Sequence, residues 1–445
     1  MLESVPVAYR APVCAPDPVP ATPPASMSKP LVVGLVTEAD AFASMRDAWN
    51  ALAIRCASPS LFLKHEWFSA AWAWRQVDAD LALWTIRDET ALRGVLPLVR
   101  QRGSRRRTLE LLTVPDTQFA DFVLPTGEAG AVSDALAAAL AGRRDWDCVH
   151  LDLLQPDGAI VRELLPALSR QGLFTTWRDR GHNASVALDG RWPDYYAARS
   201  RRLKKALNWA ANRLNKTGTV RIDWVRPGPS AAQPDAPPVP ASMRFIAADR
   251  DQFESALANV VGISARSWKQ GTGNSLDRPG PHAWLRSLAS NPGSREWMSM
   301  WLLHIDDQPQ AMELQLIDGA KVHALRADFA AECEGISPGS HLFRQLLETL
   351  FGRGFDRYYL GPGDNAYKRS WTETGAALQR ATVYNTTLGG RTRRFIDEIA
   401  KPALRAVRDR LTAARSAAAK GREEKKIVSA DGPQDRVGDD KAGDA

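Results

Sequence analysis

The sequence predicts an α+β fold, α/β in part, of two similar tandem lobes, each a mixed, mostly antiparallel sheet flanked by helices. Three observations predict it. Apolar residues recur every three or four positions in long stretches, short alternating runs broken by Asp, Gly and Pro form meanders, and the order helices, strands, helix, strand occurs twice. The 445 residues, 44% apolar and 24% charged, allow two or three folded units and exclude collagen-like, coiled-coil and wholly disordered chains.

Residues 1–30 hold eight prolines and read as a disordered lead-in. The first lobe, 31–185, opens with helices over Glu38–Ala53 and Leu61–Arg75, where Phe62, Trp67, Ala70, Ala71 and Trp74 share one face. A meander follows at Leu81–Arg87, Leu92–Arg100, Thr108–Val114 and Phe119–Leu124, then helix Ala131–Ala141, strand Cys148–Leu153 and helix Ala159–Gln171.

The second lobe, 186–390, repeats the order: helix Trp192–Asn215, strand Thr219–Val225, a Pro-rich loop Pro227–Pro240 and apolar stretches at Phe245–Ala247 and Phe253–Trp268. Strands follow at Trp297–Ile305, Ala311–Ile317 and Val322–Ala327, then a helix to about Phe351 and strand Phe355–Leu360. Residues 391–420 read as a basic amphipathic helical segment with Phe395, Ile399, Leu404, Val407 and Leu411 on one side, and 421–445 as a disordered tail.

Lys and Arg outnumber Asp and Glu 58 to 51, a net +7 that favours anionic partners. Cysteines at 14, 56, 148 and 333 lack metal-ligand or disulfide spacing, so no metal site is expected and a reducing, cytoplasmic setting is. No window is long and apolar enough to span a bilayer. Neither a GxxxxGK[ST] loop nor a GxGxxG turn is present, and no nucleophile elbow is expected, which disfavours P-loop enzymes, dinucleotide oxidoreductases and serine hydrolases.

Three clusters carry candidate chemistry. Ser337, Pro338, Gly339, Ser340 and His341 lie between a strand and a helix, where free N–H groups and the helix dipole can hold a phosphate; an ordinary capped helix start fits the same residues. Asp364, Tyr367, Lys368, Arg369 and Trp371 follow a strand end rich in glycine, supplying a candidate base, an acid and two cations; a solvated turn is the bland alternative. The helix holding Arg199, Arg202 and their basic neighbours offers a docking face for an anionic acceptor, or simply a solvated face. Glu313 is a second candidate base, on a strand neighbouring that of His323.

The segment Leu61–Trp67, Gly94–Leu98, the helix Arg199–Leu203, Ser337–Gly339 and above all Gly361–Trp371 resemble the GNAT-related acyltransferases that include the CelD-like proteins of exopolysaccharide gene clusters, and more distantly the FemAB aminoacyltransferases. The resemblance covers about residues 31–390. It implies two GNAT-like lobes and an acyl-CoA donor, acetyl-CoA first, entering between splayed strands with Ser337–His341 at its pyrophosphate. That turn departs from the usual basic or Gln residue followed by spaced glycines. The implied reaction is direct attack by an amine or hydroxyl of a small-molecule or sugar acceptor, with Asp364 or Glu313 as base, Tyr367 as acid, Lys368 beside them, and Arg199, Arg202, Arg369 and Trp371 binding the acceptor.

Two other functions stay open: a non-catalytic, partner-recruiting protein of a polysaccharide-synthesis system, and an aminoacyl-tRNA-dependent transferase. Residues 391–411 could rest on an anionic membrane surface, making the protein peripheral to the inner face of the membrane, or pack on its body. Specific nucleic-acid binding through Arg199–Lys216 and the arginines at 100–107 ranks last.

Overall fold

The structure is a computed structural model that describes residues 30–103, 107–228 and 242–401, with positions 404, 408, 410 and 412 beyond. Most of the lead-in, nearly all of the Pro-rich loop, most of 402–420 and the whole tail lie outside the described residues.

Among the described residues thirteen strands form one continuous sheet: β1 Val32–Val36, β2 Ala79–Arg87, β3 Leu92–Gln101, β4 Thr108–Leu111, β5 Cys148–Leu154, β6 Phe174–Ala187, β7 Val220–Pro227, β8 Met243–Ala248, β9 Met298–Ile305, β10 Gln308–Asp318, β11 Lys321–Phe329, β12 Arg357–Pro362 and β13 Gly375–Tyr384. Their spatial order is β1-β2-β3-β4-β5-β13-β6-β12-β11-β10-β9-β7-β8. Pairing is antiparallel except at β4/β5, β11/β12 and β7/β8.

The order is nearly symmetric about its centre. Each half presents a three-stranded antiparallel meander that ends beside a parallel neighbour, β4 with β5 and β11 with β12. Then the halves trade places: β13, at the end of the chain, pairs with β5 of the first half, and β6 pairs with β12 of the second. β6 and β13 also pair with each other from Gly375–Ala184 to Tyr384–Phe174. The two sheets implied by the sequence are therefore a single one.

Alternation along the strands sends side chains to both faces. Leu81 and Leu83 of β2, like Met300 and Leu302 of β9, join one core that both halves share. Helices His65–Arg75 and Pro279–Ser290 pack together over that face, with Trp67 and Trp284 edge to face at 6.1 Å. On the opposite face the halves keep separate cores. Helices Ala129–Gly142 and Leu165–Arg170 cover the first, while Arg201–Thr217 and Pro338–Leu350 cover the second.

Several elements differ from expectation for local reasons. Glu38–Ala53 is two helices, Ala39–Ala43 and Arg46–Ala53. The helix expected over Trp192–Asn215 breaks before Ser200, whose hydroxyl accepts the Leu203 N–H and starts a new helix. Phe119–Leu124 is not a strand: it makes one isolated bridge, Val95–Val123, and Asp121 turns aside to accept the N–H groups of Ala159 and Ile160, each at 2.7 Å. Among the described residues no helix is long and apolar enough to cross a membrane.

Candidate functional site

β11 and β12 pair only through Lys321–Arg357, Val322–Tyr358 and His323–Tyr359. Beyond that point β11 keeps its pairing with β10 and β12 its pairing with β6, but the two no longer pair with each other, and a wedge opens between them. Past β11, Ser337 takes φ +53°, a left-handed conformation that starts helix Pro338–Leu350; its carbonyl accepts the N–H groups of Ser340 and His341 at 3.2 and 3.4 Å. Gly339 lies against Phe329, where a Cβ would come within 3.3 Å of the ring. Burial pushes His341 down to about 4, and its Nδ1 is buried without a partner among the described residues. Contrary to the expectation that the chain has no nucleophile elbow, Gly335, Ser337 and Gly339 have the G-x-S-x-G spacing of one. Here a 3₁₀ turn, Ala331–Ile336, stands where the elbow needs a strand end.

At the end of β12, Gly361 and Gly363 adopt φ of +86° and +94°, conformations that favour glycine, and the chain turns into the short helix Ala366–Trp371. Asn365 caps that helix by accepting the Lys368 N–H at 2.9 Å. Tyr367 and Trp371 both pack against Phe343 of helix Pro338–Leu350, at 5.7 and 4.7 Å. The serine-glycine turn and the tyrosine-lysine segment are thus brought onto one face of the second half.

Individual side chains divide sharply. The Lys368 ammonium donates to the Gly361 and Pro362 carbonyls at 2.7 and 2.8 Å, and burial lowers it to about 8. Asp364 and Arg369 form an exposed ion pair at 2.7 Å. With Lys368, His182 and Glu373 they line a cavity of about 200 Å³. Tyr367 keeps 45% of its surface open, yet its phenol behaves as a buried group, raised well above the ordinary tyrosine range by burial and then by Glu313.

Glu313 sits on β10 at 2% exposure, facing the same core as Phe343. Tyr358 donates its hydroxyl to it and Gln315 its amide at 2.7 Å, and burial lifts the carboxyl to about 7. His323 faces the opposite side of the sheet, stacked on Tyr359 at 4.9 Å, so it and Glu313 share no crevice. Arg199 lies over the Tyr195 ring and donates to the Trp371 carbonyl, which also accepts the Tyr195 hydroxyl at 2.7 Å. It holds the end of helix Ala366–Trp371. Trp371 itself is wholly buried, and Arg202 stands on the exposed side of its helix.

Matching the first half to the second by register places Glu110, His150 and Asp152 at the positions of His323, Tyr359 and Gly361. The first-half wedge holds a cavity of about 190 Å³ lined by Glu110, His150, Asp152 and Arg380. It is filled with charge: Arg380 pairs with Asp152, and Arg75 with Glu110 at 2.5 Å. A larger hollow of about 580 Å³, lined in part by Trp74, Arg75, Asp152, Arg180 and Gly363, adjoins both smaller ones through shared residues.

Sequence reasoning missed three residues here. Gln118 and Asn183 meet in the second-half wedge, and Tyr358 reaches Glu313. Tyr358 carries a readable signal, an alternating strand position. The two amides carry none.

Residues 239–369 match the family model of the acetyltransferase (GNAT) domain. No curated protein matches the sequence. Among solved structures, FemX is 11% identical with a TM-score of 0.47, the match covering 79% of this chain and 98% of that one. A tandem GNAT protein from the clavulanic acid biosynthesis pathway is 12% identical with a TM-score of 0.39, covering 80% and 98%. A conserved protein of unknown function from Bacteroides thetaiotaomicron is 10% identical with a TM-score of 0.48, covering 80% and 100%. Likenesses at this level carry no chemistry.

Proposed function

We propose that the second half of the chain transfers an acyl group from acyl-CoA, acetyl-CoA first, to an amine or hydroxyl acceptor. One observation carries this reading: the GNAT-domain match, 239–369, encloses the β11/β12 wedge, the helix start at Ser337–His341 and the segment through Tyr367 and Lys368. The first-half wedge is a poor alternative, because a thioester entering it would have to displace the Arg380–Asp152 ion pair.

The donor's phosphates would meet the positive end of helix Pro338–Leu350. Tyr367 is the candidate acid for a departing thiolate by residue type and by its place against Phe343 beside the helix start; its raised pKa keeps it protonated but makes it a weaker donor. Asp364 is the better placed base. It borders the 200 Å³ cavity, whereas Glu313 is sealed in its hydrogen-bond chain. Arg369 and the Asp364 it pairs with would meet the acceptor at the same mouth.

Release of free thiol from acyl-CoA, followed with an acceptor panel of amines and sugars, tests this. Tyr367→Phe and Asp364→Ala should each lower kcat by about 100-fold with the fold intact; an effect under about threefold removes that residue from the mechanism. A non-catalytic, partner-recruiting role is the second reading. It is favoured by the Gln118 side chain, which occupies the second-half wedge and bonds the Ala324 carbonyl. Absence of thiol release across the panel would support it.

A further inference from the structure

We propose that Gln118, which belongs to the first half, receives the negative oxygen that develops when the second half transfers its acyl group, so that one half completes the other's site. The proposal rests on the acyl-CoA reading above.

Gln118 enters the β11/β12 wedge with only 1% of its surface exposed. Its Nε2 donates to the Ala324 carbonyl at 2.7 Å. Its Oε1 accepts from Asn183 Nδ2 at 3.1 Å and from His323 Nδ1 at 2.9 Å. Burial lowers His323 to about 3, so the ring is neutral and must carry its proton on Nδ1 to make that bond. These three contacts fix which end of the carboxamide is nitrogen. An amide nitrogen has two protons, and among the described residues only the Ala324 carbonyl takes one. Two buried atoms beside it, Asn183 Oδ1 and His323 Nε2, have no partner among the described residues, which is uncommon for buried polar groups.

Gly361 supplies the space. A Cβ there would lie 3.7 Å from the Ala324 oxygen, 3.7 Å from Lys368 Nζ and 3.9 Å from Gln118 Nε2. These are ordinary contact distances, so an amide and an ammonium nitrogen converge on the point a side chain would occupy, the kind of donor pair an oxyanion needs. Pro362 and Gly363, the next residues, line the 580 Å³ hollow, so this point is close to open space.

In the step proposed, the nucleophile's lone pair adds to the acyl carbon and the carbonyl π pair moves onto oxygen, held by Gln118 and Lys368. As that pair returns, the C–S bond breaks and the thiolate takes a proton from Tyr367. Asp364 takes the proton lost by the nucleophile.

Gln118→Met keeps the length and removes the donor; Gln118→Glu keeps the acceptors for His323 and Asn183 and sets a carboxylate against the oxyanion. Both should lower kcat by about 100- to 1000-fold while calorimetric Kd for acetyl-CoA moves by less than about threefold. A strut with only a structural role would instead lower Tm and weaken binding with kcat at saturation kept. That result, or kcat within about threefold of the parent in a folded variant, overturns the proposal. Because the Glu variant also sets a buried carboxylate against the Ala324 carbonyl, Gln118→Asn, which keeps a neutral amide but draws its donor back from Gly361, decides should the other two not fold. If the parent protein binds no acyl-CoA, the donor reading falls and this falls with it; if the parent turns over and the Gln118 variants match it, this alone falls.

Discussion

Glu313 is a carboxyl sealed under helix Pro338–Leu350, hydrogen-bonded by Tyr358 and Gln315, and raised by burial from 4.5 to about 7. Its sign for stability follows from linkage. The folded state binds the proton more tightly than the unfolded chain, so this group's contribution is complete below about pH 4.5 and disappears as pH rises through about 7. Glu313→Gln preserves an oxygen that can accept from both partners and removes the titration. The difference in Tm between parent and variant should therefore shift in the variant's favour between pH 5 and 8; a constant difference over that range would contradict the burial of an ionisable group here. Residue type made Asp364, Tyr367, Lys368 and Glu313 legible as candidates, because carboxylates, phenols and amines near a glycine-rich strand end announce chemistry. Gln118 was not legible. Its partners Asn183 and His323 lie 65 and 205 positions away, and a neutral amide in a loop has no local signature.

One ion pair ties that loop to the strand it serves. Arg326 of β11 holds Asp116 through two bonds of 2.6 Å, with 2% and 5% of the two side chains exposed, and its guanidinium lies within 6 Å of the Trp74 and Trp284 rings. Removing one partner leaves a buried charge unpaired, so Asp116→Ala should cost about 3–5 kcal/mol in urea unfolding. A loss below about 1 kcal/mol would mean that the pair is not buried in solution. The strands most evident in sequence are those with runs of apolar residues, such as β9, buried along its whole length. Three escaped notice: β1, at one edge of the sheet, and β6 and β13, the pair at its centre. β6 reads FTTWRDRGHNASVA, with Arg178, Asp179, Arg180 and His182 hiding any alternation, and all of its first nine residues are at least partly exposed. Its strand character comes from partners supplied by the far end of the chain.

For the whole molecule, that exchange of β6 and β13 gives the two halves one sheet and one shared core, while their wedges diverge: charged residues fill the first, and amides, aromatic rings and glycine line the second. The repeated order of elements was visible in the sequence because each half carries its own meander and closing helix. The exchange was not, since pairing across 200 residues leaves no local periodicity. Past Gly390 the helix Leu388–Phe395 continues into a turn with Phe395, Ile399 and Leu404 each more than half exposed; Val407 and Leu411 fall outside the described residues.

Calorimetric titration of the intact chain with acetyl-CoA and longer acyl-CoAs, with melting temperature followed in parallel, tests the central claim most directly. A single saturable site is expected, with Tm rising with ligand concentration as mass action requires. No heat and no change in Tm up to about 1 mM, the upper end of ordinary substrate affinities, would contradict a donor site in the second-half wedge.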